Sequence, residues 1–512
     1  MTNLLRSSPW QWRPGYLNGL RQPALVAELS LAAAPEDYGP LLELPGGIDA
    51  GTLQAAGAGT SGMNRLIAMT VATYASLPGT LRYPCFPEAA WHADAEDRSW
   101  IALPSLAPAI DIRAANLAIA IVNQLIGATP PDPDLDAALA ALRQDMTGQI
   151  MPGINEWHLR RAAFDLGLDL MPAGYNALQF GLGASSRVLV STMSDRTSNR
   201  AAHLARQKHH SAQILAASGL PVPEHRMVTS AAEATTAAAE IGYPVVVKPV
   251  DLDQGSGVSA WLNSPAEVDA AYTRACEFST AIMVQRHHDG DDVRLTVAEG
   301  RVIKAMKRRP AGVVGDGVHD ITTLVAQLDA APDTAVRALD PNFKRLTLDA
   351  EAVEMLNGAG ISPSTVLPVD QFQPLRRRGN ASSGGAILPL AVADVHPDNC
   401  ALALAAARSL RLDIAGIDLI VPDIRRSWRE IGGVILEINA MPQIGSLDSP
   451  NIYRDLLALL LPAFGRIPTT LLVAPDELDP LAATELESLA AKLKVESIAC
   501  RHGNWYQGAR HT

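Results

Sequence analysis

Three polar side chains in the last third of the chain stand out by type and spacing. Asp418 lies in "GIDLIV", and Glu437 and Asn439 lie in "LEINAMPQIG". Glu437 and Asn439 are two residues apart, so on an extended strand both leave the same face. Their neighbours Leu436, Ile438 and Ala440 are apolar. A donor set of oxygens from Asp, Glu and Asn suits Mg²⁺, which keeps waters and shares phosphate oxygens with a substrate. Glu-x-Asn alone favours a solvated strand face; the second acid-bearing strand shifts the balance to the metal.

The stretch "VVVKPVDLDQGSGV" poses a related question. Val245, Val246 and Val247 read as a buried strand that delivers Lys248 to its end. A buried ammonium without a partner is costly, so Lys248 is expected to meet an anion. Gly255 and Gly257 flank Ser256 in a loop whose backbone N–H groups could face a phosphate. A Walker loop carries its lysine after the glycines, whereas here the lysine comes first. On this stretch alone, a surface hairpin and a phosphate loop both stay open.

Further along, "IMVQRHHDGDDVRLTV" puts Asp292, Arg294 and Thr296 on one strand face. Asp292 could accept ribose hydroxyls, and Gln285 to His287 could offer side-chain and backbone groups to an adenine edge. The bland alternative is a surface Asp292–Arg294 pair worth little. "AMKRRPAGVVGDG" and "LRRRGNASSGG" combine guanidinium groups with glycines and small hydroxyl residues. Such a combination suits a carboxylate or phosphate, and Ser382 with Gly384 and Gly385 could bind a carboxylate through N–H groups.

These residues need elements to position them. From about residue 186 to 466, strands and helices alternate in an α/β pattern. "RVLVST" is followed by a helix over "DRTSNRAAHLARQKHHSAQILAASG". Strands "VPEHRMV", "PVVVKPV" and "AIMVQRHH" then flank the helices "SAAEATTAAAEIG" and "SPAEVDAAYTRACEF". Ser230 with Glu233 and Ser264 with Glu267 have capping-box spacing. Two strands, the long helix "PDNCALALAAARSLRL" and the two acid-bearing strands complete the region. Residues 1–185 read as an N-terminal α/β domain, with helices over "PALVAELSLAAA", "LDAALAALRQDM" and "EWHLRRAAFDLGL". Arg6, Trp10, Trp12, Arg13 and Tyr16 read as an arm packed on that domain. Residues 467–512 read as a strand-helix-strand tail too small to bury a core alone.

The 512 residues carry a net charge of −12, which argues against a nucleic-acid partner. No run reaches the ~18 to 20 apolar residues of a membrane span, and "MTNLLRSSPWQWRPG" lacks the apolar centre of a secretory signal. Cys85, Cys276, Cys400 and Cys500 have no metal-ligand spacing and read as reduced thiols. The expectation is a cytoplasmic protein, with no membrane or nucleic-acid partner.

In this order, the pieces resemble the ATP-grasp superfamily, and more closely the ATP-grasp module of cyanophycin synthetase. The resemblance runs over about residues 195–445, through "SDRTSNRAA", "GLPVPEH", "IGYPVVVKP", "GDDVRL", "RRPAGVVGDGVHDI", "RRRGNASSGG", "VHPDN" and "GGVILEINAMP". It implies an ATP-grasp fold over 186–466 with a lid subdomain at about 222–288. It implies that Lys208 and Lys248 hold the ATP phosphates under a loop containing Gly255, Ser256 and Gly257. Gln285 stands where the family usually has a glutamate against adenine, His287 lies beside it, and Asp292 matches the ribose-binding acid. Asp418, Glu437 and Asn439 match the Mg²⁺ site, which could also take Mn²⁺. Arg294, Arg308, Arg377, Asn380, Ser382 and Gly384 match positions lining the acylphosphate and amino-acid sites.

The implied reaction joins amino acids through an acylphosphate, with release of ADP and phosphate. No second phosphate loop follows up to residue 512, so the expectation is a small peptide, such as a γ-glutamyl dipeptide, rather than a polymer. A polymerising ligase is the alternative, and a degenerate ATP-binding regulator, suggested by Gln285 alone, is a third reading. A homo-oligomer, dimer or tetramer, is expected.

Overall fold

The structure is a computed structural model. It describes residues 5–13, 20–31, 62–79, 81, 83–86, 88–95, 98–130, 132–150, 154–252, 257–331, 344–376, 379, 385–445, 451–461, 465, 488, 498–501 and 504–507. The chain divides into two compact units, Met1–Arg466 and Ile467–Thr512.

In the first unit, an N-terminal sheet comprises β1 (Leu5–Ser7), β2 (Gln11–Arg13), β3 (Ala24–Leu31), β4 (Ala90–Ala95) and β5 (Arg98–Pro104). It packs with α1 (Gly62–Ser76), α2 (Pro108–Leu125) and α3 (Leu135–Thr147) around one apolar core. The helix expected over "PALVAELSLAAA" is instead strand β3. Leu25, Ala27, Leu29 and Leu31 are buried while Glu28 is exposed, a period of two that helix-favouring Ala, Leu and Glu conceal. The proposed arm is part of this sheet, since β1 and β2 both pair with β3. Trp10 packs against the core and donates to Asn116 Oδ1 at 2.9 Å, and Tyr16 lies outside the described residues. Helix α4 (Ile154–Leu166) and a sheet of β6 (Leu170–Gly174), β7 (Ala177–Phe180), β8 (Arg187–Val190) and β9 (Met193–Ser194) follow.

The stretch read as one helix is two, α5 (Asn199–Arg206) and α6 (Lys208–Ala217). Gln207 between them has ψ of 90°, outside the helical region, which makes Lys208 the first residue of α6.

A four-stranded antiparallel sheet then forms from β10 (His225–Val228), β11 (Val245–Pro249), β12 (Ser259–Leu262) and β13 (Ile282–Arg286), in the order β10-β13-β11-β12. Helices α7 (Ala231–Ile241) and α8 (Pro265–Cys276) cover one face, burying Val245, Val247, Leu262, Ile282 and Val284. Both expected caps form. Ser230 and Ser264 accept from the N–H groups of Glu233 and Glu267, whose carboxylates reach back to the N–H groups of Thr229 and Asn263.

The central sheet has the order β18-β15-β14-β19-β20: β14 (Asp291–Ala298), β15 (Arg301–Arg309), β18 (Ala386–Leu390), β19 (Ile414–Val421) and β20 (Val434–Asn439). Alternation divides its faces. Val293, Leu295, Val297, Ile417 and Leu419 bury against the alanine-rich helix α11 (Pro397–Ser409), and Asp292, Arg294 and Asp418 take the other side. Between β15 and α11, β16 (Gly312–Val314) pairs with β17 (Phe372–Pro374) beside α9 (Ile321–Ala330) and α10 (Ala350–Gly358). Short α12 (Trp428–Ile431) precedes β20, and α13 (Ile452–Leu460) closes the unit by packing with α4 over the far end of the central sheet. The fold is α/β with antiparallel sheets throughout the described residues.

In the second unit, the described part is a hairpin of β21 (Ile498–Arg501) and β22 (Asn504–Gln507). The expected strand over "TTLLVAP" lies outside the described residues, as does all but one residue of the expected helix that follows it. No helix among the described residues is long and apolar enough to cross a membrane.

Candidate functional site

Sheet register brings the polar residues of the central sheet together. Arg294 on β14 faces Asp418 on β19, and Asp418 faces Glu437 on β20. Asp292 faces Arg308, and Asn439 faces Gly416. Arg294 clasps Asp418 with a two-pronged fork, Nε to Oδ1 at 2.6 Å and Nη2 to Oδ2 at 2.7 Å. Arg308 donates from Nη2 to Asp292 Oδ1 at 2.7 Å and lies 3.1 Å from Asp418 Oδ2. The Asp292–Arg294 surface pair is therefore not formed; each residue takes a different partner, Asp292 with Arg308 and Arg294 with Asp418. In the amide orientation that satisfies both its ends, Asn439 donates to Glu437 Oε1 at 3.3 Å and accepts from Arg294 Nη2 at 3.1 Å.

Lys208 reaches this cluster from the start of α6. Its ammonium lies 3.7 Å from Glu437 Oε1 and donates to the carbonyl of Leu252. Lys248 approaches from β11 of the four-stranded β10–β13 sheet. Among the described residues, no carboxylate lies within ion-pairing distance of Lys248, so they do not supply the anion expected for it. Burial pushes its ammonium down to about 8, opposed by the charge of Glu437 and reinforced by that of Lys208.

Burial also raises the carboxyls of Glu437 and Asp292, with Lys208 opposing the first and Arg308 the second. Asp418 is only 3% exposed. Burial raises its carboxyl too, yet Arg294 and Arg308 outweigh it and hold Asp418 below the ordinary carboxylate range. Among the described residues, no group of three or more His, Cys, Asp or Glu side chains is arranged to hold a metal ion. The Asp418–Glu437–Asn439 set has two carboxylates and a carboxamide on adjacent strands. It fits a hard cation that completes its shell with phosphate oxygens and water, and such a cation would relieve the penalty on ionised Glu437.

Gln285 is buried on β13, paired in register with Val246, and His287 continues that ladder by donating its N–H to Pro244 O at 3.0 Å. Gly257 lies in the turn two residues before β12, and Gly255 and Ser256 lie outside the described residues. So do Arg377, Asn380, Ser382 and Gly384, but Gly379 between them lies against Arg308. A Cβ there would come within 3.0 Å of Arg308 Cβ. Gly416 serves a similar close approach, since a Cβ would meet Pro442 Cβ at 2.9 Å.

Sequence reasoning missed the network that holds the loop after Asn439. Thr192 Oγ1 donates to Pro442 O at 2.7 Å, and Asn155 Nδ2 to the same carbonyl at 3.2 Å. Tyr453 OH donates to Asn155 Oδ1 at 2.8 Å and accepts from Gly445 N–H at 3.1 Å. Buried Lys304 donates to Ile444 O at 2.9 Å. Asn155 and Tyr453 lie almost 300 positions apart in the chain, and neither stands in a motif.

Comparison with known proteins bears on the family of the region that carries these residues. A family described as the ATP-grasp domain matches residues 198–297. The chain is 33% identical over 300 residues to a cyanophycin synthetase of Trichormus variabilis, covering 57% of this chain and 33% of that protein. It is 33% identical over 223 residues to a bifunctional glutathione biosynthesis protein of Streptococcus thermophilus, covering 41% of this chain and 28% of that one. A bifunctional glutathione synthetase structure from Pasteurella multocida superposes with a TM-score of 0.44 at 20% identity, covering 70% of this chain and 56% of the other. The chain spans about a third of the length of the curated relatives it matches. It carries an ATP-grasp domain.

Proposed function

We propose that this chain is an ATP-dependent carboxylate–amine ligase that joins amino acids into a small peptide and releases ADP and phosphate. The observation that carries this reading is the charge arrangement of the cleft. Lys208 and Lys248 come from two different elements toward Glu437, and Lys248 has no ion-pair partner among the described residues. A nucleotide's phosphates would supply the anion that Lys248 lacks.

In this reading the two lysines bind the phosphates, and the loop containing Gly255, Ser256 and Gly257 covers them. Gln285 and His287 border the base, and Asp292 takes the ribose. Asp418, Glu437 and Asn439 would hold Mg²⁺, for which Mn²⁺ could substitute. The metal would neutralise phosphate charge during transfer. A carboxylate oxygen of the first substrate attacks the γ-phosphorus, the bond to the β-phosphate oxygen breaks, and ADP leaves. The amine of the second substrate then attacks the acyl carbon, phosphate departs, and the amine's proton is lost as the amide forms. Arg308 and Arg294 offset the negative charge of the acylphosphate and the tetrahedral intermediate, with Arg377, Asn380, Ser382 and Gly384 orienting the substrates. No side chain forms a covalent bond in this scheme; the protein positions two substrates and keeps water away.

The named activity of the cyanophycin synthetase relatives supports a second reading, in which the same site extends a growing chain. A pairwise amino-acid panel, read by ADP release and product mass, tests both. One product mass is expected; a ladder of masses selects the polymerising reading. Absence of any amino-acid-dependent ADP release would overturn the ligase assignment.

A further inference from the structure

The lid sheet carries an aromatic residue whose backbone runs against its side chain. On β11 and β12, Val245 faces Leu262 and Val247 faces Ser259, so β12 spends one residue more than its partner. This extra residue is a β-bulge, a device that re-aims side chains and is common beside active sites. Trp261 sits in it at φ 59°, the left-handed region that favours glycine. A bulky side chain held there invites a functional explanation.

The bulge turns Trp261 away from the lid core. Leu262 joins that core under α7 and α8, and Trp261 does not. Its indole instead meets the imidazole of His287, with ring centroids 4.2 Å apart. His287 has the same strand parity as Gln285 and continues the β13–β11 ladder. Since β11 lies between β12 and β13, the two rings meet across the central strand of the sheet. That strand's residues of the same parity are Val246 and Lys248. Trp261 remains 53% exposed, so much of the indole is open to a ligand.

We infer that Trp261 is a wall of the nucleotide-base site, offering an indole face to a purine beside His287. This inference rests on the reading of the cleft as a nucleotide site. Indole–base stacking is tolerant of base identity and contributes strongly to affinity.

The test uses the full chain with Mg²⁺, titrated with ADP and separately with inorganic triphosphate, which has no base. Trp261→Gly should weaken ADP binding by about tenfold and leave triphosphate binding unchanged. Because glycine suits the bulge conformation, this variant should melt no lower than wild type. Trp261→Leu should show the same loss of ADP affinity, and Trp261→Phe should retain most of the affinity. ADP should also quench tryptophan emission in wild type, and that component should vanish in Trp261→Phe. Equal ADP affinity in wild type, Trp261→Gly and Trp261→Leu would overturn the inference and leave the nucleotide site standing. Wild type that binds neither ADP nor triphosphate would instead overturn the underlying reading.

Discussion

The two sheets whose charged residues approach one another at Lys208, Lys248 and Glu437 balance their charges in opposite ways. On the central sheet, Arg294 is closed on Asp418, Arg308 on Asp292, and Lys208 from α6 stands against Glu437. On the sheet of β10 to β13, the proposed lid, Lys248 has no such partner among the described residues, and burial pushes it down to about 8. A half that neutralises itself keeps its geometry without ligand. A half with one desolvated ammonium is completed by an anion from outside. Phosphate affinity should therefore be concentrated on the lid side, and the central side should supply a fixed frame for the reacting groups.

The strongest way to break this contrast is to remove the hub of the central cluster. Asp418→Ala leaves two buried guanidinium groups without their shared acid. A loss of about 3–5 kcal/mol in stability is expected, together with loss of turnover. Asp418→Asn keeps the shape and some acceptor capacity, so its stability loss should be smaller while turnover stays lost. Chemical denaturation and ADP release measure the two quantities. An Asp418→Ala protein as stable as wild type would show that the central half is not held by its own ion pairs.

Lys248→Met should give the reverse pattern. Removing a desolvated ammonium leaves the ligand-free protein as stable as before or more so, because methionine fills similar space without charge. ADP affinity should fall by about 10- to 100-fold, the weight of one charged hydrogen-bonding partner. Thermal melts with and without ADP separate the two effects. A large drop in ligand-free stability would mean that Lys248 has a structural partner and that the lid half is also self-contained.

The same contrast explains what was legible beforehand. Asp418, Glu437 and Asn439 were visible because strand parity places Glu437 and Asn439 on one face, and an oxygen-donor set within apolar surroundings is unusual. Strands around Val245–Val247 and Ile414–Val421 were visible from apolar runs, and α7 and α8 from their serine caps. Partner choice was hidden. Asp292 and Arg294 share a face, but register decides that Arg308 and Asp418 take them. Strand β3 was misread because its alternation is written in residues with helix propensity. The break at Gln207 was hidden inside a continuous helical pattern. Asn155 and Tyr453 could not be found by spacing at all, since only tertiary packing brings them together.

Those last two residues sharpen the idea of a fixed frame. Tyr453→Phe removes the hydroxyl that links Asn155 Oδ1 to Gly445 N–H but keeps the ring stacked on His158, with centroids 4.8 Å apart. A loss of about 1 kcal/mol in stability is expected for this link. Turnover should fall with little change in ADP affinity, because the loop follows Asn439 on the central side. A selective loss of ADP affinity, measured by titration, would move phosphate recognition to the wrong side of the contrast.

The smallest effect is a proton. Lys248 titrates at about 8 in the ligand-free fold and near its ordinary 10.5 in the unfolded chain. Between those values the unfolded chain binds more protons, so ligand-free stability should rise with pH across that window. A bound phosphate reverses the shift by giving the ammonium its counter-charge, so ADP binding should take up protons between about pH 8 and 10.5. Uptake should be slight at pH 7, where Lys248 is already mostly charged, and ADP affinity should weaken as pH climbs through the window. Calorimetric titration in two buffers of different ionisation enthalpy measures the uptake directly. Lys248→Met should abolish it. Equal uptake in that variant would place the titrating group on the central side, and the lid would no longer be the half that waits for an anion.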